Sequence, residues 1–305
     1  MRSSLEPDFT FHGFRYVEVT GFPGEPQLSD LLGRVIGSDT PLVGKFETSN
    51  PMVNKLHNNV VWGQRGNFIS VPTDCPQRDE RLGWMGDAEV FAPTAIYNAD
   101  VAAFYGKYLR DVRDGQSATG GFSDVSPRLV DNADGSPAWG DAGVIIPYFV
   151  YRMYGDLDII EENYESMKRW IDYIHSANPD LIWTKRVNDN AGDWLSVNAN
   201  TPKEVLSTAY FAYDSLILSR MADAIGRKDD GQKYQKLHSD IANAFVKHFV
   251  NTTDGKIKGD TQTVYLLALA FELLPSEVKQ KAANYLVENI KAHDWHLTTG
   301  FVGLY

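Results

Sequence analysis

Apolar residues recur at the three- and four-residue spacing of amphipathic helices from residue 51 onward. Asn50 suits an N-cap and Pro51 the first helical position, and Val53, Leu56 and Val60 continue an apolar face behind them. Glycines mark several helix ends further along the chain. The pattern predicts helices over 51–68, 87–113, 141–154, 157–176, 203–226, 231–249, 261–273 and 276–292, with a ninth that starts near residue 298.

The first forty or so residues follow a different pattern. The stretch FTFHGFRYVEVTGF alternates imperfectly between apolar and polar residues, as in a half-buried strand, and LLGRVIGSD and LVGKFETS are further short strand candidates. Two or three strands do not make a stable sheet alone. We therefore expect residues 1–45 to be the C-terminal end of a β domain plus a linker, and residues 46–305 to belong to a helical domain.

The helical part contains segments that are apolar over most of their circumference, such as 141–153 and 265–274. Such helices are buried from two sides. Their alternation with half-exposed helices favours a ring of helical hairpins, whereas the alternative, a solenoid, would show a repeat of fixed period that the sequence lacks. The predicted fold class is mainly α: an incomplete (α/α)6 toroid preceded by the last strands of a β-sandwich-type domain.

Charge is concentrated in VPTDCPQRDERLGWMGDAEVF, immediately before a predicted helix. Sugar hydrolysis requires one carboxylic acid held neutral to protonate the leaving oxygen, and a second carboxylate for water or direct attack. Neighbouring carboxylates raise the pKa of such an acid, and arginines lower the pKa of its partners. On composition alone, a surface salt-bridge patch is the alternative. The first seventeen residues include Asp74, Cys75, Arg78, Asp79, Glu80, Arg81, Trp84 and Asp87.

Two long connections, 114–140 and 178–202, are rich in Gly, Ser, Asn and Asp. Loops of this length inside a compact domain are usually functional. Each carries a tryptophan beside glycine and aspartate, Trp139 in AWGDAG and Trp194 in AGDWLS. Aromatic rings stack on the C–H faces of sugars, and burial in the core is the alternative. We expect both indoles to lie on the same mouth of the ring as Glu80.

The bulk composition excludes some classes of function. A net charge of −11 argues against binding to nucleic acid or to anionic membranes. One cysteine forms no internal disulfide, and Cys75 has no second cysteine nearby for zinc. The chain carries neither a twelve-residue calcium loop, nor a Gly-rich phosphate loop, nor a serine nucleophile elbow. We expect no cofactor and no metal, and the compartment stays undetermined.

The segments GFRYVEVTG and SNPMVNKLHNNVVWGQRGNFISVPTDCPQRDERLGWMGDAEVF closely resemble bacterial and fungal inverting α-L-rhamnosidases of the six-hairpin type. The likeness continues in order through AWGDAG, RMYGD, MKRWIDYI, GDWLS and LTTGF. It implies a hydrolase that releases terminal α-L-rhamnose from glycosides or oligosaccharides by single displacement. By this resemblance Glu80 is the general acid. The implied substrate-binding residues are Asp74, Arg78, Trp84, Asp87, Trp139 and Trp194.

The resemblance also implies a catalytic base, a glutamate in a TTxWE-like stretch downstream of LTTGF, whereas the sequence stops at Tyr305. We expect the 305 residues to be about three-quarters of a twelve-helix ring, and on their own to be less stable than the full-length enzyme and without turnover. The alternatives are a non-catalytic sugar-binding fragment and another glycosidase or a lyase on the same scaffold. A lyase would need to neutralise a uronate, and the acidic segment disfavours this.

Overall fold

Nine α-helices dominate the described residues of this computed structural model, which are 5–129, 134–188 and 190–304. Their bounds are α1 (Pro51–Asn67), α2 (Met85–Asn98), α3 (Ala102–Asp114), α4 (Ala142–Tyr154), α5 (Asp158–Ala177), α6 (Lys203–Ala224), α7 (Lys228–Phe249), α8 (Gln262–Ala270) and α9 (Ser276–Ala292). Two short antiparallel pairs accompany them: β1 (Phe68–Ile69) with β2 (Val71–Pro72), and β3 (Val250–Asn251) with β4 (Lys256–Ile257).

The start of α1 follows the sequence prediction. The side chain of Asn50 accepts the backbone N–H of Met52 at 2.9 Å, and Pro51 occupies the first helical position. Local capping chemistry therefore fixes the first helix where the pattern predicted it.

At the other end of the chain, the described residues contain a 3-10 turn over Phe301–Gly303 instead of the helix expected near residue 298.

The prediction of one helix over 87–113 is wrong, because α2 and α3 are separate. Ala99 is extended, and its neighbour Asp100 donates its N–H to the carbonyl of Pro41 at 2.9 Å. An isolated β-bridge joins Ala99 to Leu42. Ala99 and Val101 are both buried, so the apolar pattern runs through the break without interruption. Periodicity alone could not reveal a break made by pairing with a distant segment.

The helices form an inner and an outer layer, as a toroid requires. Helix α2 contacts α4, α4 contacts α6, and α6 contacts α8, while α3, α5, α7 and α9 pack outside them. Helix α6 is buried almost all round, which explains its lack of a polar stripe. The turn Phe301–Gly303 touches both α8 and α2, so it reaches from the last inner helix to the first. The toroid prediction is confirmed.

Residues 5–50 form one 3-10 turn, Leu28–Asp30, and the bridge at Leu42, in place of the strands that the sequence predicts. A strand needs a continuous run of hydrogen bonds to a neighbour, and within the described residues this segment pairs at isolated points, such as Ser38 with Phe68 and Val43 with Asn98. Large apolar side chains such as Tyr16 consequently stay exposed. Of the helices in the described ranges, none is long and apolar enough to cross a membrane.

Candidate active site

The acidic segment is held in place by the first long connection. The N–H of Met85 donates to the carbonyl of Asp124 at 2.8 Å, and the N–H of Ser126 donates to the carbonyl of Gly83 at 2.9 Å. Between these bonds, Trp84 and Val125 form a β-bridge. A short two-stranded contact therefore fixes the backbone that leads from the acidic residues into α2.

Replacing Gly83 by alanine should disrupt this contact. An added Cβ would lie 2.2 Å from the carbonyl oxygen of Ser126, which is backbone and cannot rotate away. We expect the free energy of unfolding to fall by about 1–3 kcal/mol. Gly63→Ala is the matched control, because a Cβ there meets nothing within 4 Å and alanine favours the helix. Thermal unfolding of both variants checks this, and equal stability would contradict it.

Glu80 lies half-buried before α2, and two donors hold its carboxyl group. The indole N–H of Trp84 donates to Oε1 at 2.6 Å, and the backbone N–H of Leu82 donates to Oε2 at 3.3 Å. Burial raises the pKa of Glu80, and the Asp74 carboxyl raises it further, against the lowering effect of the two donors. The net rise suits a group that must keep a proton near the working pH of an enzyme.

Asp74 and Cys75 lie against Glu80. The thiol of Cys75 donates to Oδ2 of Asp74 at 3.1 Å. One possible metal-ligand atom from each of the three residues lies within 4.8 Å of the other two. In the described ranges this is the set close enough to hold a metal ion. Burial and Asp74 raise the pKa of the Cys75 thiol, whereas a metal ligand is the thiolate. A thiol that keeps its proton is a poor metal ligand.

Asp87 lies in the first turn of α2. Its side chain is accessible to solvent. Desolvation by the surrounding protein raises the pKa of Asp87 to about 6, and the charges of Asp74 and Glu80 add to the rise. The three carboxyl groups therefore act on one another electrostatically and form one site.

The arginines do not act on these carboxylates as expected. Arg78 is exposed and makes no ion pair within the described ranges, while Arg81 reaches exposed Asp79 at 3.9 Å and stacks over the ring of Phe11 at 4.5 Å. Burial and neighbouring carboxylates, rather than guanidinium groups, are the main causes of the pKa shifts at Glu80 and Asp87. One long, exposed ion pair also does not make the segment a salt-bridge patch.

Phe301 contacts both Trp139 and Trp194. The indole of Trp139 is 6% exposed, packs edge-on against Phe301 at 5.4 Å, and rests on Gly86, where a Cβ would lie 2.9 Å from the ring. Trp194 is 53% exposed, and its carbonyl accepts the N–H of Phe301 at 3.1 Å. Trp139 is thus largely buried beside Asp87 and Trp194 is open. A shared sugar pocket stays a prediction.

Residues beyond the predicted substrate-binding set also shape this region. Buried Asp193 accepts the N–H groups of Gly300 and Gly303 at 2.9 and 3.1 Å, which ties the second long loop to the 3-10 turn. Asp214 lies fully buried in α6. A lone carboxylate inside the apolar run FAYDSLIL was the available signal for Asp214, whereas nothing local marked Phe301.

A ring of helical hairpins with acidic and aromatic side chains at the entrance to its first inner helix defines a six-hairpin glycosidase type of domain. Residues 41–305 match the family described as the bacterial alpha-L-rhamnosidase 6 hairpin glycosidase domain. Residues 2–37 match the bacterial alpha-L-rhamnosidase concanavalin-like domain. The chain therefore belongs to the bacterial α-L-rhamnosidase six-hairpin family, and the resemblance seen in its motifs is confirmed.

Known relatives agree with this assignment. An alpha-L-rhamnosidase of Streptomyces avermitilis is 49% identical over 300 residues, and one of Formosa agariphila is 42% identical over 308 residues. The chain is covered to 98% and 97%, but it spans only 28% and 33% of these relatives. The crystal structure of the Streptomyces avermitilis alpha-L-rhamnosidase complexed with L-rhamnose superposes with a TM-score of 0.92 at 48% identity, over 98% of this chain and 28% of that one.

Proposed function

We propose that this chain contributes the acid-bearing part of an inverting α-L-rhamnosidase, with Glu80 as general acid. One observation carries the assignment: a half-buried carboxyl group with a raised pKa, fixed by the Trp84 indole N–H at 2.6 Å. Family membership and the rhamnosidase names of the relatives support the substrate class, terminal α-L-rhamnosyl groups of glycosides or oligosaccharides.

The proposed reaction is a single displacement. Glu80 gives its proton to the glycosidic oxygen as the bond from that oxygen to the anomeric carbon breaks, and water attacks the carbon from the opposite face. The Trp84 N–H then stabilises the carboxylate left on Glu80 through a charge-assisted hydrogen bond. The carboxylate that takes the proton of the water is expected, from the resemblance, to follow Tyr305, so the reaction is proposed for a protein that includes that segment.

Binding of the sugar is proposed to use the remaining residues of the site. Asp74 and Asp87 accept hydrogen bonds from rhamnose hydroxyls, since both lie within electrostatic reach of Glu80. Arg78, which is exposed beside them, adds donors. The aromatic walls are Trp84, Trp139 and Trp194.

A domain boundary near residue 45 is part of the proposal. The two family matches end and begin on either side of residues 38–40, and the first helix starts at Pro51. We propose that residues 1–45 are the end of a β domain plus linker, and that residues 46–305 are the first three-quarters or so of the (α/α)6 domain.

The stereochemistry of the product tests the proposed function. We expect the full-length protein to hydrolyse an aryl α-L-rhamnoside and NMR to show β-L-rhamnose as the first sugar product, with no turnover of an aryl β-D-glucoside. Initial release of α-L-rhamnose would contradict the inverting mechanism. Rhamnose binding by calorimetry without hydrolysis would favour a sugar-binding protein, and an unsaturated uronate product would favour a lyase.

A further inference from the structure

Two aspartates that the proposed reaction does not use lie close together behind the candidate site. Asp141 directly precedes α4 and Asp214 lies in the middle of α6, and both are 0% exposed. The indole N–H of Trp170, on α5, lies 3.0 Å from Oδ1 of Asp141 and 2.8 Å from Oδ2 of Asp214. A single N–H therefore serves two buried carboxyl groups that come from different parts of the ring.

Two ionised carboxylates would be costly in this position, because one neutral indole N–H cannot balance two buried charges. Glu89 on α2 and Asp124 in the first long loop act on the pair and add negative charge. Burial raises the pKa of Asp141 to about 6, and burial together with Asp141 raises the pKa of Asp214 well above its usual range. Asp214 is thus the member of the pair that retains a proton most strongly.

The hydrogen bonds assign the same roles to the two carboxyl groups. Both oxygens of Asp141 accept, from the Ala138 N–H at 2.6 Å and from Trp170, as in an ionised group. Oδ2 of Asp214 accepts from Trp170, whereas its buried Oδ1 has no donor facing it among the described residues. The two carboxyl groups are also hydrogen-bonded to each other, and a bond between two carboxyl groups requires that one of them carries a proton.

The pair is connected to the candidate sugar site through one turn. Ala138, which Asp141 holds, has a left-handed backbone with φ of 67°, a strained state for alanine, and Trp139 is the next residue. Trp170 packs directly against this turn, because a Cβ on Gly140 would lie 2.4 Å from its ring. The indole of Trp139 in turn rests on Gly86, the residue before Asp87.

We propose that Asp141 and Asp214 share one proton and form a positioning pair that holds Trp139 against the first turn of α2. This role rests on the proposed function, in which Trp139 and Asp87 contact the sugar; the two aspartates themselves touch no substrate. The two aspartates should therefore respond differently to replacement by asparagine. Asparagine at 214 supplies an N–H in place of the shared proton, whereas asparagine at 141 offers one acceptor oxygen to two donors.

Steady-state kinetics of the full-length protein on an aryl α-L-rhamnoside test the asymmetry. We expect Asp141→Asn and Asp214→Ala to raise KM at least tenfold with a smaller change in kcat, and Asp214→Asn to recover most of that loss. Asp223→Asn, an exposed position on the same helix, is the control. Equal KM values for Asp214→Asn and Asp214→Ala, or an unchanged KM in folded Asp141→Asn, would overturn the proposal.

A second measurement does not depend on catalysis. Infrared difference spectra at neutral pH should show a carboxylic-acid band that Asp214→Asn removes and Asp223→Asn keeps, and absence of this band overturns the shared proton. If the wild type does not hydrolyse rhamnosides, the proposed function fails while the infrared result still decides the pair. If Asp141→Asn does not fold, Trp170→Phe replaces it, because it removes the shared N–H and should likewise raise KM.

Discussion

Glu80→Gln should slow hydrolysis of rhamnosides with poor leaving groups by about 10²–10⁴-fold in a protein that contains the complete site. Glutamine retains an oxygen for the Trp84 N–H at 2.6 Å, the shorter of the two bonds to Glu80, and gives up the 3.3 Å bond from the Leu82 N–H together with the acidic proton. Aryl rhamnosides with activated leaving groups need less protonation and should lose much less rate. Kinetics on a matched series of leaving groups measure this difference directly.

The neighbouring carboxylate provides the control for this experiment. Asp79 is next in sequence to Glu80, its side chain is fully exposed, and its one ion pair is long. Asp79→Asn should therefore leave the rates on all leaving groups nearly unchanged. In the wild type, activity should also decline as pH rises through the raised pKa of Glu80, and this alkaline limb should vanish in Glu80→Gln. Equal loss on good and poor leaving groups would show that Glu80 is not the acid.

The helical ring could be predicted from the sequence because the buried faces of helices produce a periodic pattern of apolar residues. Helix α6 is apolar on all sides, which marks an inner helix, and Asn50 with Pro51 marks the start of α1. The break at Ala99 was not accessible, since a distant backbone segment at Leu42 creates it and the apolar pattern continues through it. The strands expected before residue 46 depend on pairing partners that no local pattern supplies.

The part of the candidate site that one short segment supplies could be predicted from the sequence. Glu80 and Trp84 lie four residues apart and form a hydrogen bond, so one segment presents both. The electrostatic roles were less predictable, because burial and neighbouring carboxylates, rather than the arginines adjacent in sequence, are the main causes of the pKa shifts at Glu80 and Asp87. Contacts that join distant segments, such as Trp139 on Gly86 or Asp141 beside Asp214, require the folded ring before they can be recognised.

Asp87→Asn should reduce activity and increase stability at the same time. The folded protein raises the pKa of Asp87 from 3.8 to about 6, so between these values it binds the proton more tightly than the unfolded chain does. The free energy of unfolding therefore falls as pH rises through this window, and it stays at the lowered value above the window. Asparagine carries no charge to confine, so the variant should melt at a higher temperature than the wild type above about pH 6, with the difference disappearing below about pH 4.

The kinetic effect of Asp87→Asn should have the opposite sign. An ionised Asp87 accepts hydrogen bonds from sugar hydroxyls with two oxygens, whereas the amide offers one, so kcat/KM should fall about 10- to 100-fold, mainly through KM. Thermal melts at pH 4 and pH 7, together with rates on an aryl α-L-rhamnoside, measure both effects. Asp79→Asn, exposed and outside the cluster, should show neither. A variant that is less active but no more stable at pH 7 would show that enclosure of Asp87 does not oppose its charge, and that the site is not strained in favour of function.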